Sequence, residues 1–167
     1  MTYPDGEHME SPRTSRQGFL EESINQMSTI KYTNLEMAMD FASDTFGYDS
    51  AAYICRQTGR IYYESDEFAA DEEIPDDIEN AALYVQVPDK RDLDLGKRLV
   101  MRFVSREIPG KYDQVDAIFR RKGAYSRYKE LLDRDDLLEE WYKFEQSVTR
   151  ETLCEWAEDE GFTVEDG

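Results

Sequence analysis

Between residues 91 and 160 the chain places its apolar side chains three and four positions apart with hardly a break. Strand-like alternation is concentrated in one stretch between residues 51 and 87. That division constrains the fold more than any other feature. Helical spacing buries one stripe of a helix, whereas two-residue alternation buries one face of a sheet. Three clustered strand patterns followed by four helical ones do not suit a doubly wound sheet, in which strands and helices alternate. The expected class is α+β: a small three-stranded antiparallel sheet packed against an N-terminal helix and a C-terminal set of about four helices.

The punctuation supports this division. In "TNLEMAMDFASDTFG", Leu35, Ala38, Met39, Ala42 and Phe46 follow helical spacing, Thr33 or Asn34 can cap the helix, and Gly47 can end it. "SAAYICRQTGRIYYES" reads as a hairpin turning at Gln57-Thr58-Gly59, and "AALYVQVP" as a third strand stopped by Pro88. Leu95, Leu99, Phe103 and Val104 share one helix face, Pro109 suits the first turn of the next helix, and Gly123 suits a left-handed closing turn. Tyr125, Tyr128, Leu131 and Leu132 form a further apolar stripe. Asp135 or Asp136 can cap a last helix carrying Leu138, Trp141, Tyr142, Val148, Leu153 and Trp156, which Gly161 ends. "FTV" then reads as a short returning strand. Residues 1–30 are polar, hold two prolines and two glycines, and show no period, so a disordered tail is expected there. A single domain over 31–163 and a frayed end at 164–167 complete the division. Met27 reads as an alternative start.

Charge narrows the function classes. The net charge is −18, of which −10 falls in residues 31–90. A field of that sign repels phosphate backbones and favours cationic partners. The absence of any long apolar run argues against a membrane span, and the polar N-terminus lacks a secretory h-region; a cytoplasmic location is expected. Cys55 and Cys154 are the only cysteines and read as free thiols. The one histidine, His8, lies in the expected tail, so no His-based triad is expected, and no catalytic residues, metal ligands or cofactor are assigned. Catalysis would instead need carboxylates or a thiol converging in one pocket.

Two charged segments are the candidate sites. "DEFAADEEIPDDIEN" holds eight acids and no base, which makes Asp71, Glu72, Glu73, Asp76 and Asp77 an acidic interaction surface for a cationic protein partner. It lacks the glycine of a calcium-binding EF-hand loop. "RRKGAYSRYK" supplies Arg120, Arg121, Lys122, Arg127 and Lys129 around a helix start, a candidate site for a phosphate ligand or nucleic acid. The plainer reading makes this segment a helix corner, with Tyr125 and Tyr128 inward and the cations solvated. Arg98, Arg102 and Arg106 recur every four residues and should repel one another unless the acidic loop lies over them. Four acids at the end of the last helix, in "EWAEDEG", oppose its dipole.

The hairpin "YICRQTGRIYY", the Ile74-Pro75 or Val87-Pro88 step before "GKRLVMRFVSRE", and above all "KGAYSRYKELLDRDDLLEEWYKFE" resemble a bacterial family, Uncharacterised Protein Family 0158. The resemblance covers about residues 33–163. Ser126 stands where a second basic residue is common, and the acidic loop and leader are additions. The resemblance implies the fold and lends weight to Gly123–Lys129; it implies no chemistry. Taken together, these readings favour an acidic interaction or regulatory module without catalysis. The alternative is a nucleic-acid or phosphate binder using residues 120–129.

Overall fold

The computed structural model describes residues 28–43, 49–66 and 73–167. Their order is β1 (Ser28–Lys31), α1 (Tyr32–Ala42), β2 (Ser50–Cys55), β3 (Ile61–Ser65), β4 (Tyr84–Gln86), α2 (Lys97–Glu107), a 3-10 turn (Pro109–Lys111), α3 (Tyr112–Ile118), α4 (Ala124–Arg134), α5 (Leu138–Asp159) and β5 (Phe162–Glu165). The protein is α+β, with a three-stranded antiparallel sheet in the order β3-β2-β4.

In that sheet Ala52 pairs with Tyr63, and Ile54 lies between Ile61 and Val85. These residues face α1: Ala52 and Ile54 are fully buried, and the Tyr63 ring meets Phe41 edge-on at 5.0 Å. Leu35, Ala38 and Met39 of α1 are fully buried too, as their spacing requires. The hairpin turns as expected. Gly59 adopts φ +76°, and a Cβ there would stand 2.8 Å from the Thr29 carbonyl oxygen, so both conformation and space demand glycine.

Helices α2 to α5 enclose the rest of the core. Leu99, Val100, Phe103 and Val104 of α2 meet Trp141 and Leu153 of α5 and Tyr128 of α4 in one cluster. The centre is aromatic: Trp141 lies 5.4 Å from Phe103 and 5.1 Å from Tyr128, both edge-on. Such pairs contribute roughly 0.5–1.5 kcal/mol beyond their buried area.

A second sheet departs from the expected outline. β1 and β5 pair in parallel, with Ser28 opposite Phe162 and Lys31 opposite Glu165. Residues 28–30 are therefore strand rather than tail, and Val164 and Glu165 are strand rather than frayed end. Ile30 and Phe162 anchor the pair in the core. Residues 1–27 of the expected tail lie outside the described residues, as do Phe46 and Gly47 of the expected first helix.

The helix caps also differ. α1 begins at Tyr32 directly out of β1 and has no side-chain cap, because the chain enters it from an extended Lys31. α5 begins at Leu138, with neither Asp135 nor Asp136 capping it. Asp136 instead takes φ +57° in the turn, and Asp135 is paired with Lys111. The 3-10 turn does start at Pro109, and Gly123 and Gly161 both adopt the positive φ expected at helix junctions. Among the described residues no helix is long and apolar enough to cross a membrane.

Candidate functional site

The basic segment 120–129 is built around its aromatic residues. Gly123, at φ +74°, turns the chain into α4. Tyr128 is then fully buried against Trp141 and Phe119, and Leu131 and Leu132 extend the buried stripe. Tyr125 departs from the expected inward pair. It sits in the first turn of α4, packs one edge on Phe119 at 5.0 Å, and stays 44% exposed.

The five cations are distributed among different neighbours. Arg120 donates to Asp116 at 2.9 Å, and Lys97 holds the other oxygen of the same carboxylate at 2.7 Å. The Lys97 hydrogen bond, with help from Arg120, keeps the Asp116 carboxyl below its usual pKa despite some desolvation. Lys129 lies 5.6 Å over the Tyr142 ring of α5. Arg121, Lys122 and Arg127 are exposed and form no ion pair with the described residues.

The three arginines of α2 find partners other than the acidic loop. Arg98 pairs with Asp94, one turn before it, and Arg106 with its neighbour Glu107. Arg102 and Arg106 both lie over the Phe144 ring, at 5.8 and 4.8 Å. Among the described residues, none of the three pairs with the acidic segment. Their mutual repulsion is moderated by nearby carboxylates and by the negative face of a phenyl ring.

The acids at the end of α5 have an internal counterpart in Arg56, at the end of β2. Its guanidinium donates to the Glu160 carbonyl at 3.0 Å, to the Glu160 carboxylate at 3.2 Å and to the Ala81 carbonyl at 2.9 Å. A cation at a helix C-terminus offsets both the dipole and the local acids.

Of the acidic surface, Glu73, Asp76 and Asp77 are exposed, while Asp71 and Glu72 lie outside the described residues. Glu73 to Glu79 lead toward β4 and flank the outer face of the antiparallel sheet. Register fixes what that face presents. Tyr53 pairs with Tyr62 on one side and Gln86 on the other, Ala51 with Glu64, and Cys55 with Tyr84. Tyr62 and Tyr84 meet edge-on at 6.0 Å, which confirms that they share a face.

The electrostatics of this face are negative. The Tyr53 hydroxyl is pushed above its ordinary pKa by burial, then by Glu64 and Glu79. Tyr84 is raised by desolvation and then by the nearby Asp77 carboxylate. Burial also pushes the Cys55 thiol up, but hydrogen bonds from the Thr58 side chain and the Thr58 and Gln57 backbone bring it below the usual thiol value. Strand alternation alone turns Tyr53 to the face opposite Ile54. Only the pairing register adds Tyr62, Tyr84 and Glu64 to its side.

A second feature was not legible in the sequence. A groove of about 1100 Å³ runs between α1, the 89–97 loop, α4 and α5. Its walls bring Glu36 and Asp40, Lys90, Tyr125 and Lys129, and Glu145 to one place from four separate segments. Lys90 is fixed there twice: its ammonium pairs with Asp40 at 2.8 Å, and its backbone N–H donates to the Ser43 hydroxyl at 2.9 Å. Among the described residues no three His, Cys, Asp or Glu side chains are grouped to hold a metal ion.

No curated protein and no solved structure matches the chain. The sequence model of one family matches residues 17–165, which takes in every described element. The chain therefore belongs to Uncharacterised protein family UPF0158.

Proposed function

We propose that this protein is a bacterial, cytoplasmic interaction module without catalytic activity, whose acidic surface engages a cationic patch on a protein partner. The observation that carries this reading is the outer face of the β3-β2-β4 sheet. There Tyr53, Tyr62 and Tyr84 stand half-buried among the exposed carboxylates of Glu64, Asp77 and Glu79. Lysine and arginine heads are attracted both to carboxylates and to the faces of tyrosine rings. The Arg60 guanidinium, 5.2 Å from the centre of the Tyr62 ring, makes one such contact within the chain. Each contact on a wet surface contributes about 0.5–1 kcal/mol, so several acting together are needed for useful affinity. The net charge of −18 adds long-range attraction for cationic partners.

The phosphate or nucleic-acid reading of Arg120–Lys129 is less well supported. Two of the five cations are engaged by Asp116 and Tyr142, and the surrounding field repels polyanions.

The test uses an arginine-rich peptide titrated into the full-length protein at about 150 mM salt, where the screening length is about 8 Å. Neutralising Glu64, Asp77 and Glu79 together (E64Q/D77N/E79Q) should weaken binding at least tenfold. Neutralising three acids of α5 instead (E151Q/E155Q/E158Q) lowers the net charge equally and should change affinity less than twofold. Equal losses from the two triple variants would refute the sheet face as the docking surface.

A further inference from the structure

Glu145 is the anomaly of the groove. It extends from α5, is half-buried, and forms no hydrogen bond or ion pair with the described residues. The two nearest cations are engaged elsewhere, Lys90 with Asp40 and Lys129 with the Tyr142 ring. Beside it the Tyr128 hydroxyl is fully buried and also lacks a partner. A carboxylate half withdrawn from water without a partner carries part of that desolvation cost, and a cation from outside would offset it.

We propose that this groove binds a small organic cation, a di- or polyamine, with one primary ammonium group seated between the Glu145 carboxylate and Tyr125. The ammonium supplies the donor that Glu145 lacks, and the Tyr125 side chain supplies an aromatic wall and a hydroxyl acceptor. Glu36 and Asp40 on the α1 wall suit a second ammonium group a few bonds away. The groove, at about 1100 Å³, is slightly larger than the usual small-molecule site of roughly 300–1,000 Å³, so a small amine would fill only part of it. The overall field concentrates cations around the protein and depletes anions.

Titration follows from the same surroundings. Burial pushes the Glu145 carboxyl above its ordinary pKa; Lys90 and Lys129 oppose this, and Asp40 and Glu36 add to it. Tyr125 and Tyr128 also face it, but both are raised from an already high value and stay protonated near neutrality. A bound ammonium favours the ionised carboxylate. Binding at mildly acidic pH therefore releases protons, and affinity rises with pH until Glu145 is fully ionised.

The experiment is calorimetric titration of the full-length protein with spermidine at about 150 mM salt, in buffers of differing ionisation enthalpy. Glu145→Gln should weaken binding tenfold or more. Lys129→Met, which removes a competing ammonium, should tighten it severalfold. The triple sheet-face variant E64Q/D77N/E79Q should bind spermidine as the parent does, which separates this site from the proposed protein-docking face. Thermal melts establish that each variant is folded. Unchanged binding by Glu145→Gln would overturn the proposal. So would weakened binding by Lys129→Met, which would mean that its ammonium does not compete with the ligand, or loss of binding in the sheet-face variant.

Discussion

Arg56 joins three parts of the chain that are far apart in sequence, and its removal tests whether main-chain bonds or the ion pair hold them. Its side chain donates to the Ala81 and Glu160 carbonyls and meets the Glu160 carboxylate. Its own backbone carbonyl accepts from the Ser28 hydroxyl at 2.7 Å, and its N–H donates to the Leu83 carbonyl at 2.8 Å. The side chain is 31% exposed, so each interaction is partly screened. A charge-assisted hydrogen bond contributes about 1.5–3 kcal/mol when dry, and an exposed ion pair about 0–1 kcal/mol. Discounting the two carbonyl bonds for exposure, Arg56→Ala should cost about 2–3 kcal/mol. For a chain of this size that corresponds to a fall in Tm of roughly 4–12 °C.

Glu160→Ala keeps the backbone acceptor and removes only the ion pair, so it should cost less than about 1 kcal/mol. Arg56→Lys keeps the charge but loses the forked geometry, and should fall between the two. Urea unfolding gives the three values. Hydrogen exchange at residues 160–165 should accelerate in Arg56→Ala, because the end of α5 leads directly into β5. A Glu160→Ala loss as large as that of Arg56→Ala would refute the reasoning, since the ion pair would then dominate.

Two glycines separate conformational strain from steric clash. Gly59 and Gly123 have nearly the same φ, but only Gly59 has a backbone oxygen where a Cβ would go. Gly123→Ala should cost about 1–2 kcal/mol, and Gly59→Ala distinctly more, about 2–4 kcal/mol; equal shifts in urea midpoint would show that the hairpin turn does not press on β1. The buried Tyr128 hydroxyl lacks a partner, so Tyr128→Phe should be neutral or stabilising by up to about 1 kcal/mol in the same assay. A loss above about 1 kcal/mol would mean that the hydroxyl is satisfied after all.

How much could be read in advance depended on the range of the interaction. Leu99, Phe103 and Val104 declared a buried helix face by spacing alone, and Gly59 declared its turn by chemistry alone. The caps at Thr33 and Asp136 misled because competing local arrangements were available. β1 runs straight into α1 and leaves no cap position, and the turn before α5 used Asp136 for its positive φ rather than for its carboxylate. Tyr125 and Tyr128 carry the same local signal, yet one is 44% exposed and the other fully buried. The difference is set by where α5 and Phe119 happen to lie.

By itself the sequence determined the α+β class, the hairpin, the helix count and the acidic character, because periodicity, turn chemistry and charge act within a few residues of each other. Only the tertiary structure decided that Ser28 would pair with Phe162, that Arg56 would reach the end of α5, and that Glu145 would face Lys90 and Tyr125 across one groove. Those pairings depend on how packed layers bring distant segments together, and no short-range pattern encodes that distance.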